Sequence, residues 1–183
     1  MSMPDYQPLI DLFNRLFLPT YNTVLVAGDD EPIYLPADAE HAHHRIIFAH
    51  GFYASALHEI AHWCVAGPER RLREDFGYWY KPDGRTAEEQ AEFERVEVKP
   101  QAYEWILNQA AGRRFHFSAD NLSAGLGASD AFKQNVLQRV RQLLADGLPP
   151  RVQMLVEALQ QQYGTPALHP DQFSLNTSEA ACA

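Results

Sequence analysis

A five-residue motif, His58-Glu59-Ile60-Ala61-His62, contains the side chains of this sequence that are best suited to chemistry. Two histidines four residues apart on a helix project from nearly the same face, about one turn apart along the axis. Their imidazole nitrogens can therefore bind one divalent metal ion. The glutamate beside the first histidine lies off that face, where it can contact a metal-bound water or a ligand. The motif predicts a metal-binding helix with Glu59 as its catalytic carboxylate.

The apolar residues around the motif argue against a chance match. Residues 52–63 form a mainly apolar run, which predicts a largely buried helix. Buried imidazoles need partners for their polar nitrogens, and a metal ion is one such partner. The alternative is a pair of core histidines that are hydrogen-bonded to backbone carbonyls.

A third metal ligand is expected from elsewhere in the chain, because two histidines leave a divalent ion incompletely coordinated. Cys64 is a poor candidate, since it projects from another side of the helix than His62. The longer motif H-E-x-x-H-x-x-G-x-x-H, whose last histidine would be a third ligand, is absent. Val65 and Pro68 occupy its glycine and last histidine positions. The remaining candidate for the third ligand is a carboxylate from the acidic segment 92–101. Two histidines and a carboxylate suit either a hydrolytic zinc site or the facial triad of a non-haem iron oxygenase.

Composition and charge predict an acidic, cytoplasmic protein. The 183 residues are enough for one domain over 1–183, and we expect its tail after about residue 175 to be disordered. No apolar run reaches the ~20 residues of a membrane-spanning helix, and we expect no signal peptide. Two cysteines, Cys64 and Cys182, suggest a reduced chain without disulfides. A net charge of −9 disfavours direct nucleic-acid binding and favours a cationic partner.

The remaining patterns predict the α+β class, with one small, mainly antiparallel sheet, the motif helix and C-terminal helices. Strands are predicted at the front of the chain and helices after them. Thr86 and Glu89 predict the start of one helix to about Val96, and Pro100 the start of a separate helix to Gly112. The other predicted elements are a helix at about 5–17, strands at 23–27, 33–35, 45–49 and 115–117, the motif helix ending at Gly67-Pro68, and helices at about 130–145 and 151–163.

Several side chains are candidates for binding a cationic substrate. Asp29 and Asp30 offer charge, and the aromatic loop that contains Tyr78 offers cation–π contacts. His50 and Tyr53, at the start of the motif helix, can face the same site. A hairpin turn and ordinary core aromatics are the alternative interpretation. Three further histidines are expected in a solvated loop: His41, His43 and His44.

Four longer phrases carry a resemblance to a known family: GDDEPIYLPAD at 28–38, FAHGFYAS at 48–55, DFGYWY at 75–80 and VEVKPQA at 96–102. Together they strongly resemble the bacterial elongation factor P hydroxylase family, from the first helix to about Phe173. Peptidases also contain H-E-x-x-H, but they do not contain these phrases.

The resemblance implies a cytoplasmic monooxygenase that hydroxylates one lysine of elongation factor P, after a β-lysyl group has been attached to its amine. It implies that His58, His62 and Glu97 bind one divalent metal. The metal is expected to be iron(II), with zinc as the alternative and dioxygen as co-substrate. Elongation factor P is the expected partner, without nucleic acid or membrane. By position, Glu94 and Glu104 rival Glu97 as the carboxylate ligand.

Two other classes of function stay open at this point. One is a zinc metallopeptidase in which Glu59 acts as general base toward a metal-bound water. The other is a non-catalytic binding module that a metal stabilises. For Glu97, which lies between the two predicted helices, an ion pair with Lys99 or Arg95 is the alternative to a metal.

Overall fold

A computed structural model describes residues 5–75, 84–119 and 127–176. The chain divides into two compact units, Met1–Gly77 and Tyr78–Ala183. Helices and a small three-stranded sheet confirm the predicted α+β class. Within the described ranges, none of the helices is long and apolar enough to cross a membrane. The aromatic loop with Tyr78 and the tail beyond residue 176 lie outside the described residues.

The first unit packs two helices and a sheet around an aromatic core. α1 contacts β1, and α2 contacts β3. The Trp63 ring of α2 lies edge-on to Phe13, Phe17 and Tyr21 of α1, with centroid distances of 5.0–5.6 Å. Its elements are α1 (Gln7–Tyr21), β1 (Thr23–Ala27), β2 (Ile33–Leu35), β3 (His44–Phe48), α2 (Tyr53–Val65) and a 3₁₀ turn (Arg70–Leu72).

The sheet is mixed, which corrects the predicted mainly antiparallel sheet. Its strand order is β1-β3-β2. β1 runs parallel to β3 over five residue pairs, from Thr23–His44 to Ala27–Phe48. β2 pairs antiparallel with β3 over three, from Ile33–Ile47 to Leu35–Arg45. The short turn between β1 and β2 suggested a hairpin, but each of these strands pairs with β3 and they do not pair with each other.

Close backbone contacts along β3 explain this arrangement. The Gly28 amide donates to the Phe48 carbonyl at 2.9 Å, and the His50 amide donates to the Asp29 carbonyl at 2.8 Å. A β-carbon on Gly28 would lie 2.4 Å from Cγ2 of Ile47, so a larger residue would displace that side chain. The segment after β1 therefore continues along β3 before it enters β2.

His44 belongs to the sheet and not to a solvated loop, which corrects that part of the prediction. Its half-buried ring stacks on Tyr34, with centroids 6.2 Å apart and planes at 27°. The Nδ1 atom accepts a hydrogen bond from the Ala37 amide at 2.9 Å. The neutral ring with its proton on Nε2 fits this contact, because a protonated imidazole has no acceptor atom.

The second unit is built on one long helix, α3 (Ala87–Ala110). The Thr86 side chain accepts a hydrogen bond from the Glu89 amide at 3.2 Å, as the predicted N-terminal cap requires. α3 contacts two helices, α4 and α5. The other elements are α4 (Asp130–Asp146), α5 (Pro150–Tyr163) and a 3₁₀ turn (Pro170–Gln172).

α3 continues through Pro100, so the prediction of two separate helices was wrong. A proline inside a helix removes one backbone hydrogen bond and strains the preceding turn, at a cost of ~3 kcal/mol. Here Pro100 is buried, and every residue from 101 to 108 is buried after it. Burial of this length against neighbouring helices stabilises the continuous helix, and local propensity does not decide its end.

Residues 115–117 form no strand, which corrects another prediction. Their aromatic rings pack on α3: Phe115 stacks on Trp105 at 5.2 Å, and Phe117 meets the same ring edge-on at 5.5 Å. The backbone of the neighbouring Ser118 is hydrogen-bonded to the Gln101 side chain and not to a strand.

Acidification is expected to destabilise the first unit at His44. Burial, followed by the positive charge of Arg71, lowers the pKa of this imidazole from its ordinary value of 6.5. The unfolded chain therefore binds this proton more tightly than the folded protein does. The resulting stability is present above about pH 6.5 and is lost as the pH falls toward the lowered folded-state pKa.

His44→Gln tests this expectation, because glutamine can accept the Ala37 hydrogen bond and does not titrate. In urea unfolding between about pH 7 and about pH 5, the variant should lose less stability than the wild type. His43→Gln, which removes an exposed imidazole outside the sheet, is the control. Identical pH dependence in the wild type and His44→Gln would contradict the assignment.

Candidate functional site

The two motif histidines lie side by side on α2, as predicted. The rings of His58 and His62 have centroids 4.8 Å apart and planes at 66°. Both side chains are half-buried. When two imidazoles lie side by side on one helix face, a nitrogen of each can bind the same metal ion.

The rest of α2 explains why this pair is held in place. Its other side buries apolar residues, with Leu57 and Ile60 fully enclosed, so the helix cannot rotate without exposing them. The helix ends because Ala66 is extended (φ −64°, ψ 127°), and its amide donates to the His62 carbonyl at 3.0 Å. The predicted stop at Gly67-Pro68 is confirmed in position, although Gly67 has no left-handed conformation.

Glu59 lines a small pocket beside α2. The cavity has a volume of about 20 Å³, and Glu59 lines it together with His62 and the Arg70–Asp75 ion pair. The second contact of this ion pair joins Nη2 of Arg70 to Oδ1 of Asp75 at 3.0 Å. The surroundings suit a carboxylate that holds solvent or orients a neighbouring side chain.

The acidic candidates for substrate binding lie on the surface of the first unit. Asp29 and Asp30 are exposed, and the backbone contact from His50 to Asp29 joins their loop to the start of α2. His50 is exposed and has a left-handed backbone (φ 62°). Its ring lies 6.4 Å from the ring of Phe52, which is 63% exposed. The sequence patterns did not predict a role for Phe52, although an aromatic residue just before the motif helix could have indicated a substrate contact.

The aromatic candidates differ from the acidic ones in their placement. Tyr53 is only 2% exposed and belongs to the core of the first unit. Tyr78 lies outside the described residues.

Glu97 is a buried carboxylate in the middle of α3, with 3% of its surface exposed. Its Oε2 atom accepts a hydrogen bond from Nε2 of Gln101 at 3.2 Å. Arg95 pairs instead with Glu92 at 2.7 Å, and the Lys99 ammonium lies 5.9 Å from the Tyr103 ring centre. The described contacts of Arg95 and Lys99 thus lie with Glu92 and Tyr103.

The two rival carboxylates on α3 have different surroundings. Glu94 is half-buried, where a solvated face was expected, and its carboxylate accepts hydrogen bonds from the amide and hydroxyl of Ser129, at 3.1 and 2.6 Å. It thus holds the residue that caps α4. Glu104 is 5% exposed and lies two turns beyond Glu97 on the same side of the helix. Burial leaves Glu104 as the stronger rival.

Among the described residues, the first unit offers two candidate metal ligands, His58 and His62, and the second unit offers Glu97. Two are half-buried imidazoles and the third is a buried carboxylate. Two nitrogens and one carboxylate oxygen fit either zinc or non-haem iron, and such a set leaves coordination positions for other ligands.

Comparisons with known proteins agree on one family. The sequence matches the family model described as elongation factor P hydroxylase over residues 12–173. It is 53% identical over 176 residues to a Haemophilus influenzae protein named elongation factor P lysine hydroxylase. That alignment covers 96% of this chain and 97% of the relative. Both matches include the motif helix and α3.

Glu94→Ala is expected to weaken the fold, because the carboxylate holds the N-terminus of α4. Ser129→Ala removes the same hydroxyl contact and the cap that Ser129 gives to the Phe132 amide at 3.1 Å. Each variant should lower the free energy of unfolding by about 1–2 kcal/mol.

A double-mutant cycle separates the shared contact from unrelated losses. Glu94→Ala and Ser129→Ala should be non-additive by at least about 0.5 kcal/mol in urea unfolding. Ser118→Ala is the matched control, since the Ser118 hydrogen bonds involve its backbone atoms. Additive effects of the two substitutions would refute the contact.

Proposed function

The chain belongs to the elongation factor P hydroxylase family, and we propose on this premise that it adds a hydroxyl group to a lysine side chain of elongation factor P. The observation that carries the proposal is the nearly full-length match to a relative with that printed name. We propose further that the lysine already bears a β-lysyl group on its amine. Because its substrate is a translation factor, the enzyme acts in the cytoplasm and needs no direct contact with nucleic acid.

The proposed reaction is a monooxygenation. One oxygen atom of dioxygen enters a C–H bond of the lysine side chain, and the other leaves as water. Two electrons and two protons are consumed, and a reductant must supply the electrons. No amino-acid side chain can activate dioxygen for this step, so a redox metal is required.

We propose that His58, His62 and Glu97 hold this metal, and that it is iron(II). Their donor set, two imidazole nitrogens and one carboxylate oxygen, is the set that non-haem iron oxygenases use. Bound iron supplies dioxygen binding and electron transfer. Zinc binds similar ligands but has no redox chemistry, which makes it the weaker candidate.

The other candidate residues have binding and orienting roles in this proposal. Glu59 contributes no attack on the substrate; it holds solvent or orients a ligand from its place beside the small cavity. Asp29 and Asp30 attract the cationic modified lysine, and the exposed Phe52 ring offers it a cation–π surface. His50, Tyr53 and Tyr78 stay as further candidates for substrate binding.

Intact-mass measurement tests the reaction directly. Purified protein is loaded with iron(II) and incubated with β-lysylated elongation factor P, dioxygen and a reductant. The substrate should gain the mass of one oxygen atom. A His58→Ala/His62→Ala variant and an anaerobic sample are the controls, and both should leave the mass unchanged.

The other outcomes identify the competing classes of function. Metal-dependent cleavage of the substrate, lost in Glu59→Gln, would support a zinc peptidase. Binding of elongation factor P without any mass change would support a non-catalytic module. Either result would overturn the hydroxylase proposal.

Elemental analysis of the folded variants tests the ligand set. The wild type should carry one divalent metal per chain, while His58→Ala, His62→Ala and Glu97→Ala should lose stoichiometric metal. Glu94→Ala and Glu59→Gln should retain it, because neither residue is a ligand in this proposal. If Glu97→Ala keeps its metal and Glu104→Ala loses it, the carboxylate ligand is Glu104.

A further inference from the structure

A stripe of polar side chains runs along one side of α3 and is mostly buried. Its members are spaced alternately by four and three residues, the spacing that places side chains along one face of a helix. Apolar residues usually occupy such positions. The members are Gln90, Glu94, Glu97, Gln101, Glu104 and Asn108, and all but Glu94 are at most 6% exposed.

Gln101, in the middle of this stripe, makes three hydrogen bonds through its side-chain amide. Its Oε1 atom accepts a hydrogen bond from the Ser118 amide at 3.1 Å. Its Nε2 atom donates to the Ser118 carbonyl at 3.1 Å and to Oε2 of Glu97 at 3.2 Å. The two hydrogens of Nε2 match these two acceptors, so the contacts determine the orientation of the amide. A flipped amide would place its oxygen against both acceptors.

We propose that Gln101 is a positioning residue for Glu97, an inference that rests on the proposed role of Glu97 as a metal ligand. A glutamate side chain has several rotatable bonds, and a free one samples many directions. The hydrogen bond to Oε2 restrains the carboxylate, while the two bonds to Ser118 restrain Gln101 itself. Gln101 thereby joins the carboxylate of Glu97 to the backbone of Ser118.

The chemistry of an amide suits this role better than that of a cation. A lysine or arginine at position 101 would neutralise the carboxylate and compete with a metal ion for it. An amide donates a hydrogen bond and carries no charge, so it does not compete with a metal cation for the carboxylate. Residues that orient metal ligands in this way typically change metal affinity by 10–100-fold when they are replaced.

The principal test is Gln101→Leu, which removes the hydrogen bond to Glu97. Gln101→Met, whose side chain matches glutamine in length, is the second variant, and both are compared with the wild type. Cobalt(II) is the probe, because its visible absorption reports both binding and coordination geometry. Both variants should bind cobalt(II) about tenfold or more weakly than the wild type. Their bound spectra should also differ from the wild-type spectrum, which a general loss of stability would not produce.

Gln90→Leu is the matched control on the same helix. Gln90 is likewise buried, and its Nε2 donates to the Ala119 carbonyl at 2.6 Å, one residue from the Ser118 contact. Its remaining partners are Arg85, at 2.7 Å, and Glu94, at 3.4 Å. This variant therefore disturbs the same neighbouring segment without removing a contact to Glu97, and its cobalt(II) affinity should stay near that of the wild type.

Several results would overturn the inference. Wild-type cobalt(II) affinity in folded Gln101→Leu or Gln101→Met would do so, and so would an equal loss in Gln90→Leu. Failure of both Gln101 variants to fold, with Gln90→Leu folded, would assign Gln101 a structural role alone. Two other results would contradict the proposed ligand set itself. In the first, the wild type binds no cobalt(II); in the second, Glu97→Ala binds cobalt(II) as tightly as the wild type.

Discussion

The burial of one carboxyl group, that of Glu97, is a physical constraint on the second unit. Moving a carboxylate out of water costs several kcal/mol unless hydrogen bonds, a cation or a metal compensate for the lost hydration. On the same helix, Arg95 pairs with Glu92, and Lys99 lies against Tyr103. A neutral amide, from Gln101, is one donor that the structure does provide. Glu97 lies in the middle of α3, a helix that contacts α4 and α5.

In the first unit, the packing of α2 determines the direction in which the two imidazoles project. Trp63 follows His62 directly in sequence and is enclosed by three rings of α1. Such ring pairs contribute about 0.5–1.5 kcal/mol each beyond the area that they bury. Rotation of α2 would break all of these contacts together. These packing contacts of α2 keep the two histidines adjacent on one face of the helix, where both are half-buried.

Local sequence patterns predicted the motif helix, the three strands and the cap at Thr86, because these depend on neighbouring residues. They failed where distant contacts decide. Pro100 looked like a helix start, but the burial of the residues after it keeps α3 continuous. Phe115 and Phe117 looked like a strand, yet their rings pack on Trp105. The parallel pairing of β1 with β3 likewise depends on contacts that no local pattern contains.

The candidate ligands were predictable as residue types, whereas their supports were not. His58 and His62 are visible from spacing alone, and Glu97 came from the family resemblance. Gln101 is four residues from Glu97, but glutamine is common on solvated helix faces, so its burial could not be foreseen. α3 has polar residues at positions where a helix of the same spacing would normally carry apolar ones. Proteins break such packing rules mainly at functional sites, where chemistry outweighs stability. The polar stripe of α3 is therefore itself a reason to look for function on this helix.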